Sequence, residues 1–308
     1  MKSSLVKISL GAAVLGLLLS GCSSNEPPAH SESSASSNTS ASPSAAETAP
    51  SDSAQPAATV KSMEDFDLAN EQWHVPAYDK DITLVDGKAS EGTVSYELKD
   101  VVYSDLDNDG VKDAAGQLIV VDGNAYYEHW MAWLAHDGGP VRIDDPIANG
   151  HNCGTVIDSV KPAQGGGVEV VEWTRNGLGG GLGEGESCAE HGPNQRIRTV
   201  AVSQHSSQYT GAPYLMQTSP SLGYGGDCPI NPGGGLDLGV PQFYYTPDEK
   251  ARISIRPTEK INGYIVGEAS GPMTKDKKWL LVTIADETGP NGELSGRCAW
   301  VKNEFPDY

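Results

Sequence analysis

Short runs of Val, Ile, Thr, Tyr and Trp, cut at intervals of about ten residues by Asp-Gly and Gly-rich turns, leave this chain little choice but a β-rich fold. Asp86-Gly87, Asp122-Gly123 and Asp137-Gly138 sit between such runs, and Asp-Gly supplies the positive φ that tight hairpins need. The pattern predicts strands over Ile82–Val85, Thr93–Tyr103, Gln117–Val121, Tyr126–Ala135, Thr155–Val160, Gly167–Thr174 and Arg196–Ser203. The 36 glycines and 20 prolines argue against a helical bundle, because both residues destabilise helix interiors. One helix is expected, over Met63–Gln72, with Ser62 and Asp65 at capping-box positions. The run Tyr126–Ala135 is apolar on both faces, with Tyr127, Met131 and Trp133 on one and Tyr126, Trp130 and Leu134 on the other. Such a strand is covered on both sides, as core, or carries a ligand platform. The fold class is therefore all-β: an N-terminal β-meander domain followed by a small C-terminal β-barrel.

The first residues read as an address rather than as structure. Lys2 and Lys7 precede an apolar stretch from Ile8 to Leu19, which is signal-peptide length and too short to span a bilayer. It ends in Leu19-Ser20-Gly21-Cys22, which resembles the lipobox of bacterial lipoproteins. That resemblance implies a leader over 1–21, cleavage before Cys22, a lipid thioether on its sulfur, and residence on the outer side of the cell membrane. The other reading is an ordinary signal peptide with Cys22 incidental. Two or more acyl chains anchor stably where one is marginal. In 23–60, Ser, Ala, Pro and Thr fill 29 of 38 positions and Val60 is the one large aliphatic side chain. Such a segment cannot bury enough apolar area to offset the entropy of ordering, so 22–61 is expected to be a disordered tether reaching on the order of 120–140 Å when stretched.

Charge narrows the partners. The formal charge is −20 and the isoelectric point near 4.6, so a nucleic-acid partner is excluded for want of clustered Lys and Arg. Loss of Lys2 and Lys7 with the leader makes the body more acidic still. An acidic body is not drawn to anionic lipid, so membrane attachment would fall to the N-terminal lipid.

The sharpest chemical motif is Asp105-Leu106-Asp107-Asn108-Asp109-Gly110-Val111-Lys112-Asp113. Carboxylates at relative positions 1, 3, 5 and 9, a turn at Gly110 and the Val111 carbonyl at position 7 suit a hard cation that takes six to eight oxygens, such as calcium. An EF-hand needs a bidentate Glu at position 12, where this chain has Gly116. From Val101 to Val120 the pattern resembles instead the Asp-rich hairpin loop of FG-GAP-type β repeats. The resemblance implies a structural calcium ion held by Asp105, Asp107, Asp109, Val111 and Asp113. Extracellular sites of this kind bind at about 10⁻⁴–10⁻³ M. The competing reading is a solvated turn with no ion.

With Cys22 acylated, Cys153, Cys188, Cys228 and Cys298 remain, an even number that suits disulfides in an oxidising compartment. Three pairings are open. The Gly/Pro-rich stretch 209–240, read as a linker between an all-β domain at 62–208 and a barrel at 241–308, suggests Cys153–Cys188 and Cys228–Cys298. The alternative is a zinc site using His151, Cys153, Cys188 and His191, although the spacing matches no strong finger pattern.

In 250–305 the fragments Ile253-Ser254-Ile255-Arg256-Pro257, Asn262-Gly263-Tyr264-Ile265-Val266-Gly267, Lys278-Trp279-Leu280-Leu281-Val282 and Ser295-Gly296-Arg297-Cys298-Ala299-Trp300-Val301 resemble the bacterial Src-homology-3-type barrel. The insertion at Asp286–Gly292 and the extra cysteine depart from it. The resemblance implies binding of cell-wall peptides or glycans, with Trp279 and Trp300 either in that site or in the core. No H-E-x-x-H, G-x-S-x-G or Walker lysine motif occurs, and Gly177–Gly185 lacks the Lys-Ser/Thr ending of a phosphate loop. Asp144-Asp145 and Glu184/Glu186 are candidate acid pairs for glycosidic cleavage. The expectation is a membrane-anchored, outward-facing lipoprotein, non-catalytic, that binds an envelope or extracellular ligand. A secreted cell-wall hydrolase using an acidic pair is the alternative.

Overall fold

The computed structural model describes residues 61–175, 187–188, 190–228, 232–237, 242–253, 262–266, 274, 276–284 and 297–304. The lipobox with Cys22, the tether, the glycine run 177–185, Glu184, Glu186 and the 286–292 insertion lie outside the described residues. The described part falls within one compact unit, Gln55–Tyr308. Its strands are β1 (Gln72–Val75), β2 (Lys80–Thr83), β3 (Lys88–Glu91), β4 (Val94–Ser104), β5 (Asp113–Asp122), β6 (Ala125–Leu134), β7 (Val141–His151), β8 (Val156–Pro162), β9 (Val168–Thr174) and β10 (Asn194–Ser206). They continue with β11 (Pro213–Ser219), β12 (Gly223–Tyr224), β13 (Pro232–Asp237), β14 (Asn262–Val266), β15 (Trp279–Ile284) and β16 (Cys298–Lys302). The fold is all-β, and every pairing is antiparallel.

Two five-stranded sheets, ordered β3-β4-β5-β6-β7 and β12-β11-β10-β9-β8, share one core. Ala115, Trp130, Ala132, Leu134, Ile143 and Ile147 from the first meet Val160, Val168, Val170, Val200, Val202 and Leu215 from the second. The opposite face of the first sheet is buried too. Met63, Leu68, Trp73, Val75, Ile82 and Leu84 of the N-terminal segment cover Tyr96, Leu118, Val120, Met131 and Trp133. Strand β6 is thus central and sandwiched on both sides, with Trp130 and Trp133 in core rather than on a platform.

The expected helix over Met63–Gln72 does not form. The segment makes 3-10 turns at Met63–Asp65 and Leu68–Asn70, and Gln72 begins β1. Ser62 does cap, but it caps a single turn, accepting from the Glu64 amide at 3.1 Å. Tertiary pairing wins over the capping signal. The Met63 amide donates to Lys112 O at 2.8 Å, and the amides of Leu84 and Gly87 donate to Glu71 O and Ala69 O. Met63, Leu68 and Trp73 are buried at a spacing of five, which no helix face provides.

Strand β7 carries no alternating signal because it is an edge strand with Pro146 at a register shift, a position that tolerates proline. The 209–240 stretch also differs from expectation. It is not a plain linker: it supplies β11 and β12 to the second sheet and β13 to a four-stranded sheet ordered β13-β14-β15-β16. No pairing closes β13 onto β16 among the described residues. The core of this last sheet holds Phe243, Ile253, Leu280, Val282, Ala299 and Val301, with Leu222 packed against it.

Candidate functional site

The Asp-rich motif forms the hairpin loop between β4 and β5 and also joins the two large sheets. Asn108 adopts φ +61° and Gly110 φ +88°, so the chain reverses tightly. The Asp105 carbonyl accepts from the Gly167 amide at 2.7 Å, the Leu106 carbonyl from the Val202 amide at 2.8 Å, and the Ser104 hydroxyl donates to Gly167 O at 2.7 Å. Close approach requires glycine at 167, since a Cβ there would stand 2.4 Å from Val200 O.

Carboxylate oxygens of Asp105, Asp107 and Asp109 lie within 4.8 Å of one another. Each also accepts local amides: Asp105 from Asp109 and Gly110, Asp107 from Asp109, and Asp109 from Val111. Among the described residues no lysine or arginine pairs with the three. Burial and the adjacent Asp109 and Asp105 charges push the Asp107 carboxyl above the usual carboxylate range. Three converging oxygens with no lysine or arginine paired to them among the described residues fit a divalent ion.

Asp113 does not join the trio. Its carboxylate is buried and accepts from the Leu106 amide at 2.8 Å and the Ala135 amide at 2.9 Å, tying the loop to the end of β6. Burial raises it to about 6. Gly116, at the position where an EF-hand has its glutamate, lies under the Trp73 ring.

Cys153 is bonded to Cys188 and Cys228 to Cys298. The first bond leaves no thiolate for the zinc alternative, and the two histidines of that set bind backbone, His151 to Asn152 O and His191 to Gly192 O. Of the acid-pair candidates, Asp144 is exposed and ion-paired with Arg142 at 2.7 Å. Trp279 is buried edge-on against Tyr244, with ring centroids 4.9 Å apart, and so belongs to the core.

A second polar centre surrounds the free edge of β7, and sequence reasoning missed most of it. Glu172 is fully buried and accepts from Arg196 Nε at 2.5 Å and Arg198 Nε at 2.7 Å, which holds its carboxyl down at about 2 despite burial. Arg198 donates its other nitrogens to Gly225 O at 2.9 Å and Ile147 O at 2.5 Å. Asn149 donates to Asp227 at 3.2 Å. Burial raises the Asp227 carboxyl and places the Tyr224 phenol well above its usual range. The overlooked signal was parity. Glu172 follows Val168 and Val170 on the inward face of β9, and Arg198 precedes Val200 and Val202 on that of β10. No protein-family model, curated protein or solved structure matches this chain.

Proposed function

We propose that the protein is a bacterial lipoprotein: a β-sandwich body held on the outer side of the cell membrane through Cys22, binding an envelope or extracellular ligand without catalysis. The observation that carries this reading is Leu19-Ser20-Gly21-Cys22 closing a short apolar stretch behind two lysines. The body is consistent with that compartment, since every other cysteine is paired. Calcium belongs to the same reading. Asp105, Asp107 and Asp109 would hold it, and the ion would supply positive charge where the loop joins the two sheets.

Expression of the full chain in a bacterial host with labelled palmitate tests the proposal. Label in a membrane-fraction product, lost in Cys22→Ser, is the expected outcome. An unlabelled product that keeps residues 1–21 and stays in the cytosol overturns it.

A further inference from the structure

We infer that the Cys153–Cys188 bond is a thiol-exchange site: an external dithiol opens it by attack at Cys188, and a disulfide oxidant closes it again, on an intact fold. The two disulfides stand in opposite surroundings. Cys188 is exposed and Cys153 half-buried, whereas Cys228 is 4 % and Cys298 0 % exposed in the small core with Tyr224 and Leu281. Exchange begins when a thiolate reaches a disulfide sulfur, so access selects the first bond and, within it, Cys188. The backbone at Cys153 points the same way. Cys153 is the third residue of a β-turn closed by the Gly154 amide on His151 O at 3.1 Å, and its φ is +63°. Turns with positive φ at that place ordinarily carry glycine or asparagine, so a cysteine is costly there, and what it adds is a sulfur.

Both halves of the site are held by contacts other than the bond. On one side the His151 amide donates to Thr155 O at 3.1 Å, and the Asn152 side chain donates to Asn124 O at 2.7 Å and accepts from the Tyr126 amide at 2.6 Å. On the other, the Glu190 amide donates to Ser187 O at 3.1 Å, and Nη2 of the buried Arg175 donates to the carbonyls of both Ser187 and Glu190. His191 packs on Trp173 of β9, with ring centroids 4.3 Å apart. None of these contacts needs the sulfurs joined, so the reduced form keeps its two thiols side by side. In the exchange the donor thiolate bonds Cys188 Sγ while the Cys153–Cys188 bond breaks, and the electron pair leaves on Cys153 Sγ, which takes a proton. The donor's second thiol then attacks the donor sulfur of the mixed disulfide, and Cys188 leaves as thiolate. Two electrons pass to the protein, and the donor ends as a disulfide. The bond joins the crossover from β7 to β8, which passes from one large sheet to the other, to the turn ahead of β10. Exchange therefore links or unlinks those two connections.

The test is reduction of the native full chain with dithiothreitol at neutral pH, quenched with iodoacetamide and read by peptide mapping. Cys153 and Cys188 are expected to be alkylated at least about tenfold faster than Cys228 and Cys298, whose sulfurs react only after a costly opening of their core. The chain reduced at the first bond should keep the far-ultraviolet circular dichroism and protease resistance of the oxidised one, and oxidised glutathione should re-form the bond. Cys153→Ser should gather a glutathione mixed disulfide at Cys188 faster than Cys188→Ser does at Cys153; the reverse order overturns attack at Cys188. Equal rates at the two disulfides, unfolding on loss of the first, or failure to re-form it overturns the inference, and none of these three outcomes depends on a variant folding.

Discussion

Gly116 leaves room for nothing larger than hydrogen beneath Trp73. A Cβ there would lie 2.4 Å from the ring carbon Cη2, and the ring cannot swing aside because its Nε1 donates to Leu68 O at 2.9 Å. Gly116→Ala is expected to destabilise by about 1–3 kcal/mol through overpacking, read as a lower urea midpoint. In a Trp73→Leu background the same substitution should cost less, a coupling that a double-mutant cycle reads. His129 offers a second test, in pH. Burial holds its folded pKa at about 4, while an unfolded imidazole protonates near 6.5. The unfolded chain therefore takes up the proton first. Stability present above pH 6.5 falls as pH drops through that window, by up to about 3 kcal/mol below pH 4. Denaturation at stepped pH should show this slope in the native protein and a flatter one in His129→Leu. Parallel slopes would refute the assignment.

At the scale of elements, the β4–β5 loop and the β9–β10 pair each concentrate charge at a junction. Calcium bound to Asp105, Asp107 and Asp109 at ten times its dissociation constant should add about 1.4 kcal/mol. That corresponds to a rise of about 3–6 °C in melting temperature for a body of this size. Chelation should reverse the rise, and Asp105→Asn with Asp109→Asn should abolish it. A melting temperature indifferent to calcium counts against the site. Glu172 is the other anchor: Glu172→Gln leaves Arg198 buried without its charge partner and should cost about 3–5 kcal/mol in a urea melt. These elements differ in how plainly the residues announce them. The spacing of Asp105, Asp107 and Asp109 is local and legible, whereas the burial of Asp113 against Leu106 and Ala135 needs the end of β6 in place. The failed helix at Met63–Gln72 has the same cause, since Ser62 is a local signal and the Lys112 carbonyl that pairs with Met63 is a distant one.

For the whole molecule, the Cys228–Cys298 bond and β12 carry the connection between the second large sheet and the last one, with Tyr224, Leu281 and both sulfurs in one small core. Closing a loop of 70 residues stabilises by about 4 kcal/mol in the chain-entropy model. Replacing Cys228 and Cys298 by Ser should expose sites in 242–304 to limited proteolysis while the sandwich stays protected. The Cys153–Cys188 double variant should not do so, because both of its residues lie on one side of that connection. Alternating Val, Ile and Tyr runs broken by Asp-Gly, the two-faced strand at 126–135 and the Asp-rich turn are settled within a few residues of chain, and the sequence alone determined them. The edge strand β7, the strands within 209–240, and the gathering of Glu172, Arg198 and Asp227 were decided only by tertiary structure. Their partners lie tens of residues away, and a charge or a proline is tolerated at such positions only once a distant strand, guanidinium or carbonyl has come alongside.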